Sequence, residues 1–285
     1  MEKFKLALAQ IESEPGKIKV NLEKMLVYIG KAAEQGARLI VFPEMCLPGY
    51  MVMDGKDFHN FYALATDFTD PATLELLKAA EKNKLDIIYG TSTKSPSVEG
   101  FYYNSAVLIT DTGLIEVYNK AHLPTGNHGG TIFYEGLYAK PGNEFPVMEM
   151  EYARLGAQVC YDLFFPEVSR IEAVKGAELI VNISAGPVTS KASFDKLLPA
   201  RALENACYFA YVNVAGVQGG VNFFGHSRLL NPLGMPVLEL AQGKEDFGVA
   251  ELDPGLFSGL RRQLDMLRDR GRRPEIYREL SEEYE

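Results

Sequence analysis

Arg154-Leu-Gly-Ala-Gln-Val-Cys160-Tyr-Asp-Leu-Phe-Phe-Pro-Glu167 is an apolar, strand-like run that ends on a cysteine and passes into a proline-started helical pattern. That order places a thiol at a sharp strand-to-helix turn. Free backbone N–H groups and a helix N-terminus there favour negative charge, which suits a nucleophile. Two other strand-like runs also end on reactive side chains. Glu44 closes Leu39-Ile-Val-Phe-Pro-Glu44, and Lys120 closes Leu114-Ile-Glu-Val-Tyr-Asn-Lys120. A thiol, a carboxylate and an ammonium, each at a strand end, suggest one covalent-catalysis site.

The surrounding sequence alternates strand and helix patterns. Strands are expected at 4–10, 38–43, 86–91, 103–110, 114–119, 154–160, 178–183, 208–214, 225–231 and 246–252. Continuous apolar runs such as Ala177-Glu-Leu-Ile-Val-Asn-Ile183 read as strands covered on both faces. Apolar residues at helical spacing predict helices over 17–35, 71–83, 167–175 and 194–206, with Gly36 ending the first and Asp70-Pro71 starting the second. This alternation implies an α/β layered domain. No linker, internal repeat or low-complexity tract divides the 285 residues. Gly216-Val-Gln-Gly-Gly220 reads as a turn and not a phosphate loop, because no Lys-Ser/Thr follows.

A formal net charge of −9 argues against a nucleic-acid partner, which wants a basic face. No apolar run is long enough to predict a membrane span, and the start lacks a signal-peptide pattern. The three cysteines, Cys46, Cys160 and Cys207, are widely spaced and form no Cys-x-x-Cys pair. They suit a reduced, cytoplasmic setting better than a disulfide framework. His59, His128 and His226 show no ligand spacing, so no metal is expected. His122 is read as a structural hydrogen-bonding residue. Met51, Met53, Phe58 and Phe61 read as ordinary packing near a pocket mouth.

Amide hydrolysis through a cysteine needs a base for the thiol proton, because the thiolate is the nucleophile. It also needs a preorganised group to meet the oxyanion of the tetrahedral intermediate. Glu44 suits the base, Cys160 the nucleophile, and Lys120 with the Tyr161 backbone N–H the oxyanion site. Ligands in open α/β sheets bind at strand C-terminal ends, which gives the shared location a physical basis.

The chain resembles the nitrilase, or carbon–nitrogen hydrolase, superfamily, which uses a Glu–Lys–Cys triad. The matching segments are Val41-Phe-Pro-Glu44, Tyr118-Asn-Lys-Ala-His-Leu-Pro124 and Val159-Cys-Tyr-Asp-Leu-Phe-Phe-Pro-Glu167. Further matches are Phe133-Tyr-Glu-Gly-Leu-Tyr-Ala-Lys-Pro-Gly142, Arg201-Ala-Leu-Glu-Asn205 and Arg273-Pro-Glu-Ile-Tyr277. The resemblance implies a four-layer αββα sandwich that pairs through its helices into a homodimer. It implies a hydrolase domain over 1–265 and an arm over 266–285 that packs on a partner subunit, where composition alone reads a solvated end. It also implies a second carboxylate at Glu135, and no cofactor.

Nitrile-hydrolysing members typically carry Trp and Glu after the cysteine. Tyr161-Asp162 here, in a chain without Trp, resembles the amidase and carbamoylase branches instead. Many of those carry Arg where this chain has Phe164. The expected reaction is hydrolysis of a small carboxamide or N-carbamoyl compound through a thioester. Tyr50, Phe164, Phe165, Asn182 and Ala185 are the substrate-binding candidates, and Tyr161 joins Tyr50, Phe164 and Phe165 in suggesting an aromatic-lined pocket for a small neutral or apolar acyl group. Two alternatives stay open: a glutaminase-like subunit that supplies ammonia to a partner synthetase, and a catalytically idle binding scaffold.

Overall fold

The computed structural model describes residues 1–50, 58–263, 267 and 271–282. The expected loop residues Met51 and Met53 lie outside that set.

The first half of the chain builds one sheet. Its strands are β1 (Phe4–Gln10), β2 (Leu39–Val41), β3 (Asp86–Lys94), β4 (Tyr102–Ile109) and β5 (Ile115–Asn119). A short hairpin follows, β6 (Thr125–His128) and β7 (Thr131–Tyr134). The second sheet takes β8 (Val147–Glu149), β9 (Arg154–Val159), β10 (Leu179–Ser184) and β11 (Tyr208–Asn213). A second hairpin, β12 (Ala215–Gln218) and β13 (Val221–Phe224), interrupts it before β14 (Arg228–Leu230) and β15 (Pro236–Glu239). The chain then returns to the first sheet as β16 (Asp246–Leu252). The sheet orders are β16-β1-β2-β3-β4-β5 and β15-β14-β11-β10-β9-β8.

Helices α1 (Ile18–Glu34), α2 (Phe58–Ala63), α3 (Pro71–Asn83), α4 (Glu135–Tyr138), α5 (Pro166–Val174), α6 (Lys191–Asn205) and α7 (Pro254–Gln263) complete the fold. The period-two alternation of β1 sorts its side chains between two cores. Phe4, Leu6 and Leu8 face the second sheet and join Leu155, Ala157 and Val159. Ala7 and Ala9 face outward and join Met25 and Ile29 of α1 and Leu76 of α3. On the other side, Phe194, Leu198 and Ala202 of α6 cover the buried strands of the second sheet. The layering is therefore α on β on β on α, as the resemblance implies.

Local signals account for the helix ends. Asp70 accepts a hydrogen bond from the Ala72 N–H at 3.0 Å, and Pro71 occupies the first turn. Gly36 follows α1 with φ +73°. Both hairpins turn on Gly-Gly pairs, Gly129-Gly130 and Gly219-Gly220, and all four glycines have positive φ. The first hairpin goes unread in the sequence, and the second falls where only a turn is expected. The strand expected at 225–231 contracts to β14 because His226 takes φ +53°. Phe61 packs fully buried beside Tyr50 and Phe223. No described helix is long and apolar enough to cross a membrane.

α5 carries a buried acid that the sequence does not announce. Glu172 is fully buried against β9, where a Cβ on Gly156 would lie 2.8 Å from its carboxyl carbon. Its Oε2 accepts from Gln158 Nε2 at 2.7 Å, while Oε1 has no partner among the described residues. Burial pushes the Glu172 carboxyl well above the usual range, against the opposing pull of the Gln158 hydrogen bond. A carboxyl with a raised folded pKa fits in its neutral form. Its burial is tolerated below the ordinary carboxylate pKa and weakens the fold as pH rises above it. Glu172→Gln should therefore raise the melting temperature by several degrees at about pH 7.5 and by much less at about pH 4.5. Thermal unfolding of both proteins at the two pH values checks this.

Candidate active site

Four chain segments meet where the two sheets face each other. Glu44 follows β2 through Phe42-Pro43, Lys120 follows β5, Cys160 follows β9 and Ala185 follows β10. Glu44 and Lys120 have no solvent exposure, Glu135 is 1% exposed and Cys160 8%.

Lys120 is the hub. Its Nζ lies 2.8 Å from Glu44 Oε1, 3.0 Å from Glu135 Oε1 and 2.7 Å from Glu135 Oε2. Only the first two contacts have hydrogen-bond geometry, since Glu135 Oε2 is left without a directed bond among the described residues. An ammonium has three N–H donors, so a third remains for a ligand. Burial alone would lower the Lys120 pKa. Glu135, Glu44 and Cys160 outweigh it and hold the ammonium above its ordinary range.

The two carboxylates are anchored from other directions. Glu44 Oε1 also accepts from Asn104 Nδ2 at 2.7 Å, and Oε2 accepts from the Ala185 N–H at 2.7 Å. The turn that carries Glu44 sits directly on Gly90. A Cβ there would stand 2.4 Å from Met45 N and 2.6 Å from Glu44 Cα, so only glycine lets the acid reach this depth. Glu135 begins α4, and its Oε1 accepts from the Tyr50 hydroxyl at 2.7 Å. Burial pushes the Glu135 carboxyl up, with Lys120 pulling it back.

Cys160 occupies a strained turn. Its φ is +49°, a left-handed value that non-glycine residues rarely take. It opens a 3-10 helix, Cys160–Phe164. Asp162 fixes this turn. It is fully buried, and its Oδ2 accepts from the Val159 N–H at 3.0 Å and the Tyr118 hydroxyl at 2.7 Å. Its Oδ1 accepts from the His122 N–H at 3.0 Å and faces His122 Nδ1 at 2.8 Å. Tyr118 and His122 flank Lys120 in the chain, so one carboxylate registers the nucleophile turn against the lysine segment. Burial raises the Cys160 thiol well above its usual pKa, and Glu44 adds to this. Lys120 and a hydrogen bond with the Ala185 backbone draw it down less. On balance these influences favour the thiol over a free thiolate.

Cys160 opens into a cavity of about 210 Å³ whose lining includes His128, Phe133, Tyr161, Phe164 and Phe194. Of the five substrate-binding candidates, Phe164 lines it, together with Tyr161 of the expected aromatic pocket. A 3-10 helix repeats every three residues, which puts Tyr161 and Phe164 on one side. Phe165 emerges on another side and stacks on the His122 ring at a centroid distance of 3.6 Å. Tyr50 holds Glu135, and Ala185 holds Glu44. Asn182 is fully buried and reaches the Cys160 carbonyl with Nδ2 at 3.4 Å. His128, Phe133 and Phe194 were not singled out for the cavity, nor Asn104 and Asp162 as anchors. A buried Asn within the apolar strand β4 was the available signal for Asn104. Among the described residues, no three His, Cys, Asp or Glu side chains gather as a metal site.

A buried acid–ammonium–acid cluster beside a thiol, on an αββα sandwich, defines a hydrolase of carbon–nitrogen bonds. The chain belongs to the Carbon-nitrogen hydrolase family, which it matches over residues 5–262. It is 32% identical over 246 residues to a probable nitrilase of Schizosaccharomyces pombe, covering 85% of this chain and 86% of that protein. It is 29% identical over 278 residues to the omega-amidase NIT3 of Saccharomyces cerevisiae, covering 94% of each. A solved structure of the amidase from Nesterenkonia sp. AN1, a double mutant in complex with acrylamide, superposes with a TM-score of 0.81. That match has 27% identity over 97% of both chains. The protein is an amidase-type enzyme of this family.

Asp162→Asn should cost about 2–3 kcal/mol of stability, because a charged acceptor of several buried donors is lost. It should also lower kcat for ammonia release by more than tenfold. Tyr118→Phe removes one donor alone and should cost about 1 kcal/mol with kcat nearly unchanged. Denaturant titrations and ammonia assays on both variants check these outcomes.

Proposed function

We propose that the enzyme hydrolyses a small carboxamide or N-carbamoyl compound through a thioester on Cys160. Glu44 takes the thiol proton, and the sulfur attacks the substrate carbonyl carbon. The oxyanion that forms is met by the third Lys120 N–H and the Tyr161 backbone N–H. Collapse breaks the C–N bond, with Glu44 returning its proton to the departing nitrogen, so ammonia or an amine leaves. Glu44 then takes a proton from water, which attacks the thioester. The second collapse releases the acid, and the sulfur recovers its proton. Glu135 keeps Lys120 charged and aimed.

The observation that carries this reading is the Lys120 ammonium hydrogen-bonded to both Glu44 and Glu135, with all three charges acting on the Cys160 thiol. The related Nesterenkonia amidase supports it, since a variant of that protein takes the acetamide moiety of fluoroacetamide covalently on its active-site cysteine. Cys160→Ala should abolish ammonia release from amides and chloroacetamide labelling together. Glu44→Gln should abolish ammonia release but keep labelling, because removing a facing negative charge favours the thiolate. Intact-mass spectrometry and an ammonia assay separate the two activities. Full turnover by Cys160→Ala would sink the mechanism.

We further propose that a second copy covers the outer face of α5 and α6, with residues 266–285 as an arm. Ile171, Val174 and Leu203 are exposed on those helices. The described tail residues Gly271, Arg272, Tyr277 and Leu280 border a cavity of about 550 Å³ against them. Sedimentation should find a dimer, and Leu203→Glu should shift it toward monomer. A monomeric wild-type chain at micromolar concentration would remove this proposal.

A further inference from the structure

The cavity above Cys160 is built for an uncharged guest. Its aromatic wall is continuous. Ring centroids run from Phe133 to His128 at 5.8 Å, from His128 to Tyr161 at 5.1 Å, from Tyr161 to Phe164 at 5.3 Å and from Phe164 to Phe194 at 5.4 Å. The lining also includes the hydroxyl-bearing residues Thr189, Ser190 and Ser193. Neutral donors and acceptors of this kind orient a ligand without offering a counter-charge.

No Lys or Arg lines the cavity among the described residues. The cations around it are committed elsewhere. Lys191 pairs with Asp195 at 2.7 Å, and Arg228 with the same acid at 2.8 Å. Arg201 donates through Nε to the Leu163 carbonyl at 3.0 Å and pairs with Glu204 at 2.9 Å. His128 Nε2 lies 3.3 Å from the Thr125 carbonyl, which occupies that ring nitrogen. Behind Cys160, and outside the lining, two acids, Glu44 and Glu135, pair with the single ammonium of Lys120. A substrate carboxylate would lose its water here and find no cation among the described lining residues, with the net negative Glu44–Lys120–Glu135 cluster behind Cys160.

We propose that the substrate is the amide of an uncharged, branched or aromatic acyl group, and that the site rejects amides whose acyl chain carries a carboxylate. This rests on the amidase reading above and specifies its substrate class. Discrimination comes from a cost imposed on the wrong guest as well as from apolar contact with the right one.

The test compares kcat/KM, by ammonia release, for 4-methylpentanamide, phenylacetamide and succinamate. The first and last have nearly the same shape, with a carboxylate in place of an isopropyl group. The neutral amides should exceed succinamate by at least about 100-fold, the ratio expected when a buried charge lacks a partner. Ser193→Lys adds a cation at an exposed position of the lining. It should raise kcat/KM for succinamate at least about tenfold and narrow the ratio. Succinamate turnover equal to or above that of 4-methylpentanamide overturns the proposal and leaves the amidase reading standing. An unchanged ratio in Ser193→Lys, with the variant folded, overturns the assignment of the discrimination to this cavity. Ammonia from none of the three amides removes the amidase reading and this proposal with it.

Discussion

The buried ammonium of Lys120 is the constraint on which the site depends. Withdrawing a lysine from water costs several kcal/mol, and a carboxylate costs a similar amount. Three such groups coexist at the sheet interface because each offsets another's burial, and because neutral donors take up the remaining lone pairs. Asn104 and the Ala185 N–H serve Glu44, and Tyr50 serves Glu135. Loss of Lys120 would leave two like charges facing each other in a dry place. The cluster thus ties chemistry to fold: β2, β4, β5, β10 and α4 must all be in register before the ammonium and both acids meet their partners.

The same electrostatic balance shapes the nucleophile. Cys160 sits in a left-handed conformation at the edge of this cluster, where burial and Glu44 oppose ionisation. A thiol held protonated until a base acts suits a covalent reaction that must shuttle one proton through several steps. The strain of the turn is held by Asp162, whose four contacts reach back along β9 and across to the segment around Lys120. Cys160 and the segment around Lys120 are thereby positioned by a single carboxylate that does not itself line the cavity.

The cluster itself was largely legible in the sequence, because reactive residues at the ends of apolar strands stand out against their surroundings. Glu44, Lys120 and Cys160 each follow such a run. Glu135 was legible only through family resemblance, since nothing in Phe133-Tyr-Glu-Gly marks it as buried. The anchors escaped notice for a physical reason. Asn104 contributes only one polar side chain to a largely apolar strand, and the Ala185 donor is a backbone group that leaves no side-chain pattern. The aromatic wall was half legible: Tyr161 and Phe164 share a side only because the turn is 3-10, and Phe165 is sent to His122 by the same periodicity. The hairpin carrying His128 and Phe133 has too little apolar alternation to announce strands, and its one signal was the Gly129-Gly130 pair.

The sequence by itself determined the alternating α/β organisation, the main strands and helices, and the reactive side chains, because periodicity, capping and strand ends act over short stretches of chain. Only the tertiary structure decided which charges meet, how many donors each acid receives and which rings face the cavity. Those properties arise between residues as far apart as Glu44 and Ala185, whose contact exists only once both sheets are packed. Local patterns set what each segment can be, and long-range packing sets the electrostatic environment in which its side chains react.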